Sequence, residues 1–374
     1  MAPGATAALA RVGRAAASSI LPAPRLAVNR RAALAGPLAL AVLLAACGQA
    51  ARAPTAAQPS GAPGAAEATA PPAAPAKLTM SYSNLTPDQW PIFLAQDLGL
   101  FAKHGIDMDL RQIDSSTGVA ALIAGETQAA GIGGSEVMSA AAEGADLVII
   151  AGLTKTFSFR FMAPETIRTV DDLRGKRVGV SRIGSSSDIA TRLALQRLGL
   201  QPNKDVEIIQ VGSLSARIQA LQSGAIQGGV AQPPDTARLA KTGMHVLFDV
   251  SDLDLPNASS VIAVRRADLT GQRAAMQALV DTMVDAVATM RDDPKAAKET
   301  LGKWIQLDDP DALQEAWEFY TQKIIPTVPR VEPAQLETAK QVLMGENPRL
   351  ASYDPTQLID NSLVDAAAAR AGAR

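Results

Sequence analysis

Alternating polar and apolar residues at 77–83 (KLTMSYS) and 106–114 (IDMDLRQID) predict two half-buried strands. Between them, WPIFLAQDLGLFAKHG predicts a helix, with Pro91 suited to its first turn and Gly99 near its end. Next come a helix GVAALIAGE stopped at Gly125, a short buried strand QAAGIG, a helix SEVMSAAAEGA and an apolar β run, DLVIIAGL, at 146–153. The pattern then restarts. TVDDLRGKRVGVSR holds a short helix and a strand over Arg177–Val180, and GSSSDIATRLALQRLGL is a helix closed by Gly199. The strand DVEIIQVG, the helix SARIQALQSG, the strand IQGGVAQ and the helix PPDTARLAKTG follow, then the strands HVLFDV and SSVIAVRR (259–266). Such alternation predicts βαβ units on largely parallel sheets. Beyond Asp268 the period is helical, beginning with the long amphipathic stretch RAAMQALVDTMVDAVATMRDD and continuing through DPDALQEAWEFYTQKI and EPAQLETAKQVLMGE.

One short phrase occurs twice, as ALIAGETQAA at 121–130 and ALQSGAIQGG at 220–229. Each marks a helix end, a Gly stop and the start of a short strand. Gly125 and Gly224 suit a left-handed residue after a helix, where Gly has no Cβ penalty. The tiny pair after each Gln lets the strand approach a neighbour closely. A single repetition over such a distance points to two similar α/β lobes rather than a solenoid, although Ala-Leu-rich helices ending in Gly also recur by chance.

Composition changes the picture mainly at the N-terminus. The formal net charge is −2, but Arg11, Arg14, Arg25, Arg30, Arg31 and Arg52 share residues 1–76 with one acid, Glu67, which leaves the body acidic. An acidic body gives no electrostatic reason to bind nucleic acid. NRRAALAGPLALAVLLAAC has the basic region, short apolar run and small residues of a secretory signal, interrupted by Gly36 and Pro37 and too short to span a membrane stably. Its end, Leu44-Ala45-Ala46-Cys47, resembles the lipobox of bacterial lipoproteins, which implies lipidation of Cys47. Residues 48–76 are Ala, Pro, Gly and Ser with almost no large apolar side chain, the composition of a flexible tether. Cys47 is the only cysteine, so the body has no disulfide, Cys-metal site or catalytic thiol. His104 and His245 lie in separate turns and do not suggest a metal pair.

PIFLAQDLGLFAKHGIDMDL, ALIAGETQAAGIGGSEVMSAAAEGADLVIIAG, DLRGKRVGVSRIGSSSDIATRLALQRLGL and ALQSGAIQGGVAQPP, in that order, resemble the substrate-binding proteins of bacterial ABC importers. The resemblance is to the nitrate/sulfonate/taurine and thiamine-pyrimidine-precursor group. It implies a type II periplasmic-binding-protein fold, with two α/β lobes joined by two crossover strands and a ligand cleft between them. Lobe 1 would comprise 77–160 and 262–374, lobe 2 would comprise 161–261, and the crossovers would lie near 157–163 and 259–264. The family often has Asp where this chain carries Gln128 and Gln227. The implied partners are a small-molecule ligand, an ABC permease with its ATPase, and the membrane through the lipid anchor. The implied state is an exported monomer that needs no cofactor.

Ligands of open α/β sheets sit beyond the carboxyl ends of the strands. Here those loops are the stretch around TPDQW (86–90), GGSE (133–136), GSSSD (184–188) and AQPP (231–234). The first three feed helix N-termini, whose free N–H groups favour anions. Candidate ligand contacts are Asn84, Gln89, Trp90, Gly133, Gly134, Ser135, Glu136, Ser185, Ser186, Ser187 and Asp188, with Thr154, Arg160 and Gln232 nearer the crossovers. Ser and Asp at these positions are equally ordinary helix caps, and Trp90 can equally staple its helix. Glu136 and Asp188 could instead hold a cation, so the charge of the ligand stays open. A cofactor-free enzyme and a ligand-sensing lipoprotein on the same fold are the alternatives. No G-x-S-x-G, H-E-x-x-H or Walker A motif occurs.

Overall fold

A computed structural model describes residues 74–372, so the signal segment, Cys47 and all but the end of the tether lie outside the described residues. The strands are β1 Ala76–Tyr82, β2 Ile106–Gln112, β3 Ala129–Ile132, β4 Leu147–Gly152, β5 Arg160–Pro164, β6 Arg177–Val180, β7 Glu207–Gln210, β8 Gly228–Ala231, β9 Met244–Asp249 and β10 Val261–Arg265. They form two five-stranded sheets, ordered β2-β1-β3-β10-β4 and β7-β6-β8-β5-β9. Each sheet follows one plan. Three parallel strands linked by helices are followed by one antiparallel strand that arrives from the other half of the chain. β10 and β5 enter from the other half of the chain rather than through a βαβ crossover, and each runs antiparallel to its neighbours. The sheets are therefore mixed, where the alternation alone predicted largely parallel ones.

The doubled phrase builds the same corner in both sheets. Gly125 and Gly224 take left-handed backbone, with φ of 78° and 73°. Gln128 accepts from Thr79 N through Oε1 at 2.9 Å and donates from Nε2 towards Gly125 O at 3.5 Å. Gln227 likewise accepts from Arg177 N at 3.3 Å and donates to Gly224 O at 2.7 Å. Each amide ties the backbone of a neighbouring parallel strand to the carbonyl at a helix end. A carboxylate could accept the first bond but could not donate the second.

The long C-terminal helix Arg273–Asp292 buries Met276, Leu279, Val280, Met283, Val284 and Val287, a 3.6-residue stripe. Much of that stripe packs with Ile92, Phe93 and Ile262 in the core on the first sheet. The helix read through DPDALQEAWEFYTQKI stops at Phe319, and Tyr320–Ile324 forms one π turn with Tyr320 fully buried.

Candidate functional site

A cavity of about 50 Å³ lies between the carboxyl ends of the two sheets. Residues just past β1 (Ser83, Asn84), β3 (Gly133, Glu136), β6 (Ser181) and β8 (Gln232) line it, as do Phe159, Ser259 and Ser260 from the two crossings between sheets. Strand ends converge here because every parallel strand runs toward the same crevice.

Of the sequence candidates, Asn84, Gln89, Gly133, Glu136, Ser185, Ser186, Ser187 and Gln232 line this cavity. Gln89 donates to Ser83 Oγ (2.8 Å) and Gly131 O (3.1 Å), which leaves its buried Oε1 without a partner. The serines brace one another: Ser185 Oγ donates to Arg182 O at 2.7 Å and lies 2.9 Å from Ser187 Oγ, which accepts from Ser181 N. Ser186 Oγ reaches Ser259 O at 3.3 Å. Glu136 accepts from Gly133 N at 2.9 Å, and its other oxygen sits 3.2 Å from Arg182 Nη2 across the crevice.

Six candidates lie elsewhere. Trp90 offers no stacking face, being fully buried against Tyr320 with its Nε1 donating to Ala297 O at 3.0 Å. Gly134 is pressed against the C-terminal helices, since a Cβ there would meet Leu336 at 2.8 Å. Ser135 is buried and outside the cavity lining. Thr154 accepts from Ser260 N at 3.0 Å and its carbonyl accepts from Gln335, so it pins a crossing. Arg160 is spent on Asp249 (3.0 Å), Thr236 (3.2 Å) and Glu315 (3.3 Å) and lies over the Phe319 ring. Asp188 is held by Arg192 Nε at 2.9 Å and Gly184 N at 2.8 Å, with no exposed surface left for a ligand.

Two charged cavity residues went unselected by the sequence reading. Arg217 rises from the helix Leu214–Gln222 and is 2% exposed. Its Nε donates to Val230 O at 2.8 Å and its Nη1 to Ser181 Oγ at 2.7 Å. Nη2 has no acceptor and the guanidinium has no ion-pair partner among the described residues. Burial pushes its pKa down to about 10, against an upward pull from the Asp235 charge, so it remains a cation at neutral pH. The signal was present in SARIQALQ, where Arg217 shares the buried stripe with Leu214, Ile218 and Leu221. A charge on a core stripe needs a reason. The repeated phrase supplies its space: a Cβ at Gly229 would meet Arg217 Cδ at 3.2 Å, and one at Gly228 would meet Phe161 at 2.6 Å.

Asp88, quoted within TPDQW, is the second. Its carboxylate accepts from Ser158 Oγ at 2.8 Å and, across the crevice, from Gln232 Nε2 at 2.7 Å. Burial pushes its pKa up to about 6, and the hydrogen bonds from Ser158 and Gln232 oppose that shift. Tyr320 OH lies beside this carboxylate without a hydrogen bond of ordinary geometry, and burial together with the Asp88 charge pushes the phenol up. Ser260 Oγ, 1% exposed, completes the lining without a partner. Two buried polar atoms without a partner, Ser260 Oγ and Gln89 Oε1, thus share one small cavity with the Arg217 guanidinium, whereas buried polar groups are ordinarily paired.

The described residues hold no group of three metal-ligating side chains. Residues 86–297 match the family model described as NMT1/THI5 like. A Brucella abortus protein described as a binding protein is 27% identical over 227 residues, covering 60% of this chain and 70% of the relative. Among solved structures, a Bordetella bronchiseptica protein superposes with a TM-score of 0.69 at 19% identity, covering 79% of this chain and 98% of that one. The alkanesulfonate-binding protein SsuA of Xanthomonas axonopodis pv. citri, solved bound to MOPS, gives a TM-score of 0.65 at 19% identity, covering 77% and 99%. These likenesses identify the fold as that of periplasmic binding proteins.

Proposed function

Because the chain belongs to the NMT1/THI5-like family, we propose that it is an exported receptor that captures a small anion between two closing lobes and delivers it to an ABC permease. The observation that carries this reading is Arg217: a buried cation without a carboxylate partner among the described residues, lining a cavity that also holds two unpaired polar groups. Burying a charge unpaired is costly, and a ligand anion is the missing partner. Arg217 Nη2 and Ser260 Oγ would donate to the ligand. The two glutamines, 89 and 232, and the braced serine loop hold the walls. The anion favours the sulfonate or nitrate-like class over a pyrimidine precursor.

Asp88 to Gln232 and Glu136 to Arg182 are hydrogen bonds and charge contacts made across the crevice. They would form on closure about the two crossings and exclude water from the anion. On this reading the protein works as a monomer without a cofactor, tethered through a lipid on Cys47 by residues 48–76. The binding-protein relatives favour a receptor over an enzyme on the same fold.

The test is thermal denaturation of the mature chain with millimolar methanesulfonate, nitrate, acetate or methylphosphonate, and with amidines and aminopyrimidines as cationic and neutral controls. A ligand of the native state raises the melting temperature. A shift with an anion that disappears in Arg217→Gln supports the proposal. Shifts confined to the cationic or neutral compounds would overturn it.

A further inference from the structure

An anion on Arg217 upsets the balance of charge around the cavity. Glu136 lines the same space but has a cation of its own, Arg182, at 3.2 Å. Asp88 also lines it, and neutral donors alone hold its carboxylate, Ser158 Oγ at 2.8 Å and Gln232 Nε2 at 2.7 Å. Among the described residues, the lining thus carries one cation and one carboxylate that lack an ionic partner, Arg217 and Asp88. A ligand anion satisfies the cation and puts a second negative charge beside the first, around a cavity of only about 50 Å³. Asp88 is 5% exposed, so water screens that repulsion poorly. Like charges at such range favour protonation of a carboxylate.

The surrounding hydrogen bonds leave a place for the proton. Asp88 belongs to the turn Pro87–Gln89, Gln232 follows β8 in the other sheet, and Ser158 lies in a crossing between the sheets. The Ser158 hydroxyl now donates to Asp88, but a hydroxyl can turn and accept instead. Gln232 Nε2 reaches both Asp88 Oδ2 and, at 3.1 Å, Ser158 Oγ, so the link across the crevice survives protonation. We infer that this protein captures its anion together with one proton, taken from solvent and held on the Asp88 carboxyl group. The inference rests on the anion reading of the cavity. Burial alone raises Asp88 to about 6, and a neighbouring anion carries it further up.

The other charged groups around Asp88 are accounted for. Tyr320 on the π turn is pushed up by burial and by the Asp88 charge, and Lys323 on the same turn pairs with Asp252 at 3.3 Å. Arg160 is spent on Asp249 and Glu315, and Lys155 on the crossing is exposed. Neither histidine lines the cavity. Asp235, in the helix Asp235–Ala240 beyond Gln232, is the rival, because burial raises it too, against the pull of Arg238 at 3.2 Å.

The experiment is isothermal calorimetry of the mature chain with methanesulfonate and with nitrate, anions of strong acids that do not titrate themselves near neutrality. Near pH 7 it is repeated in bis-tris, imidazole and Tris, amine buffers of different ionisation enthalpy that carry no sulfonate. The expected result is a heat that varies with the buffer, reporting net uptake of up to one proton. Affinity should weaken about five- to twentyfold as pH rises from 6 to 8. Asp88→Asn, in which a neutral amide stands in for the protonated acid, should bind with neither dependence, while Asp235→Asn keeps both. Wild-type heats equal in all three buffers, with affinity constant over that range, overturn the inference and leave the receptor reading standing. A pH dependence that survives in Asp88→Asn, or a folded Asp88→Asn that no longer binds, also overturns it. No binding of either anion at any pH overturns the anion reading and the inference with it.

Discussion

Arg217→Gln separates a ligand-binding cation from a structural one. Holding this guanidinium in the interior lowers its pKa from the usual guanidinium value to about 10. That difference corresponds to about 3 kcal/mol of destabilisation of the folded protein at pH 7. The sign follows from the base: with the folded pKa below the unfolded one, the penalty is present at every pH below about 10 and is relieved only above it. Glutamine removes the charge and keeps one donor for Val230 O or Ser181 Oγ, so one acceptor loses its partner, at a cost of about 1–3 kcal/mol. The two effects nearly cancel. Urea denaturation of the ligand-free variant at pH 7 should lie within about 2 kcal/mol of the wild type, where breaking a structural buried ion pair costs about 3–5 kcal/mol. Calorimetry on the same sample should find affinity for the anion reduced by about thirtyfold or more, the loss expected when one partner of a buried charge pair is removed. A variant that loses 4 kcal/mol of stability yet still binds the anion would refute the reasoning, because Arg217 would then be holding the fold rather than the ligand.

Asp88→Asn should change the pH dependence of stability. The folded pKa near 6, raised from 3.8, means that the contribution of Asp88 is fully present below about pH 4 and is lost as pH rises through 6. Denaturation at pH 4.5 and 7.5 should therefore show the variant gaining about 2 kcal/mol on the wild type at the higher pH, and parallel curves would contradict it. Gln128→Ala and Gln227→Ala each break a two-ended tie, and each should cost about 1–2 kcal/mol in urea melts. Trp90→Phe, which loses the bond to Ala297 in the core, should cost about 1–3 kcal/mol while ligand affinity stays at the wild-type value. Cys47→Ser should move the exported protein from the membrane fraction to the soluble fraction, as read by fractionation and immunoblot.

Strands and helices were legible because each has a period of its own. Arg177–Val180 and the long helix from Arg273 fall where alternation and the 3.6-residue stripe placed them. The loops at the strand ends were equally legible, and eight of the proposed contacts line the cavity because direction along a parallel strand dictates which end faces the crevice. Less legible was which polar side chain in a loop is already spent. Arg160 stood among the candidate contacts near a crossover, but Asp249, at the end of β9 and distant in sequence, neutralises it. Asp188 looked available and is held by Arg192 one helical turn on, an i,i+4 pair that the sequence did contain. The doubled Gln, anomalous as a motif, became intelligible once both of its bonds were visible.

The alternation of strand and helix, the two matching corners and the loops that feed the crevice are all written locally in the chain, because they follow from periodicity and backbone preference. That Arg217 has no ion-pair partner among the described residues, that Asp88 meets Gln232 and that Trp90 belongs to the core came only from the folded arrangement. A charge is free or satisfied according to neighbours brought from distant parts of the chain, and no local pattern records which neighbours arrive.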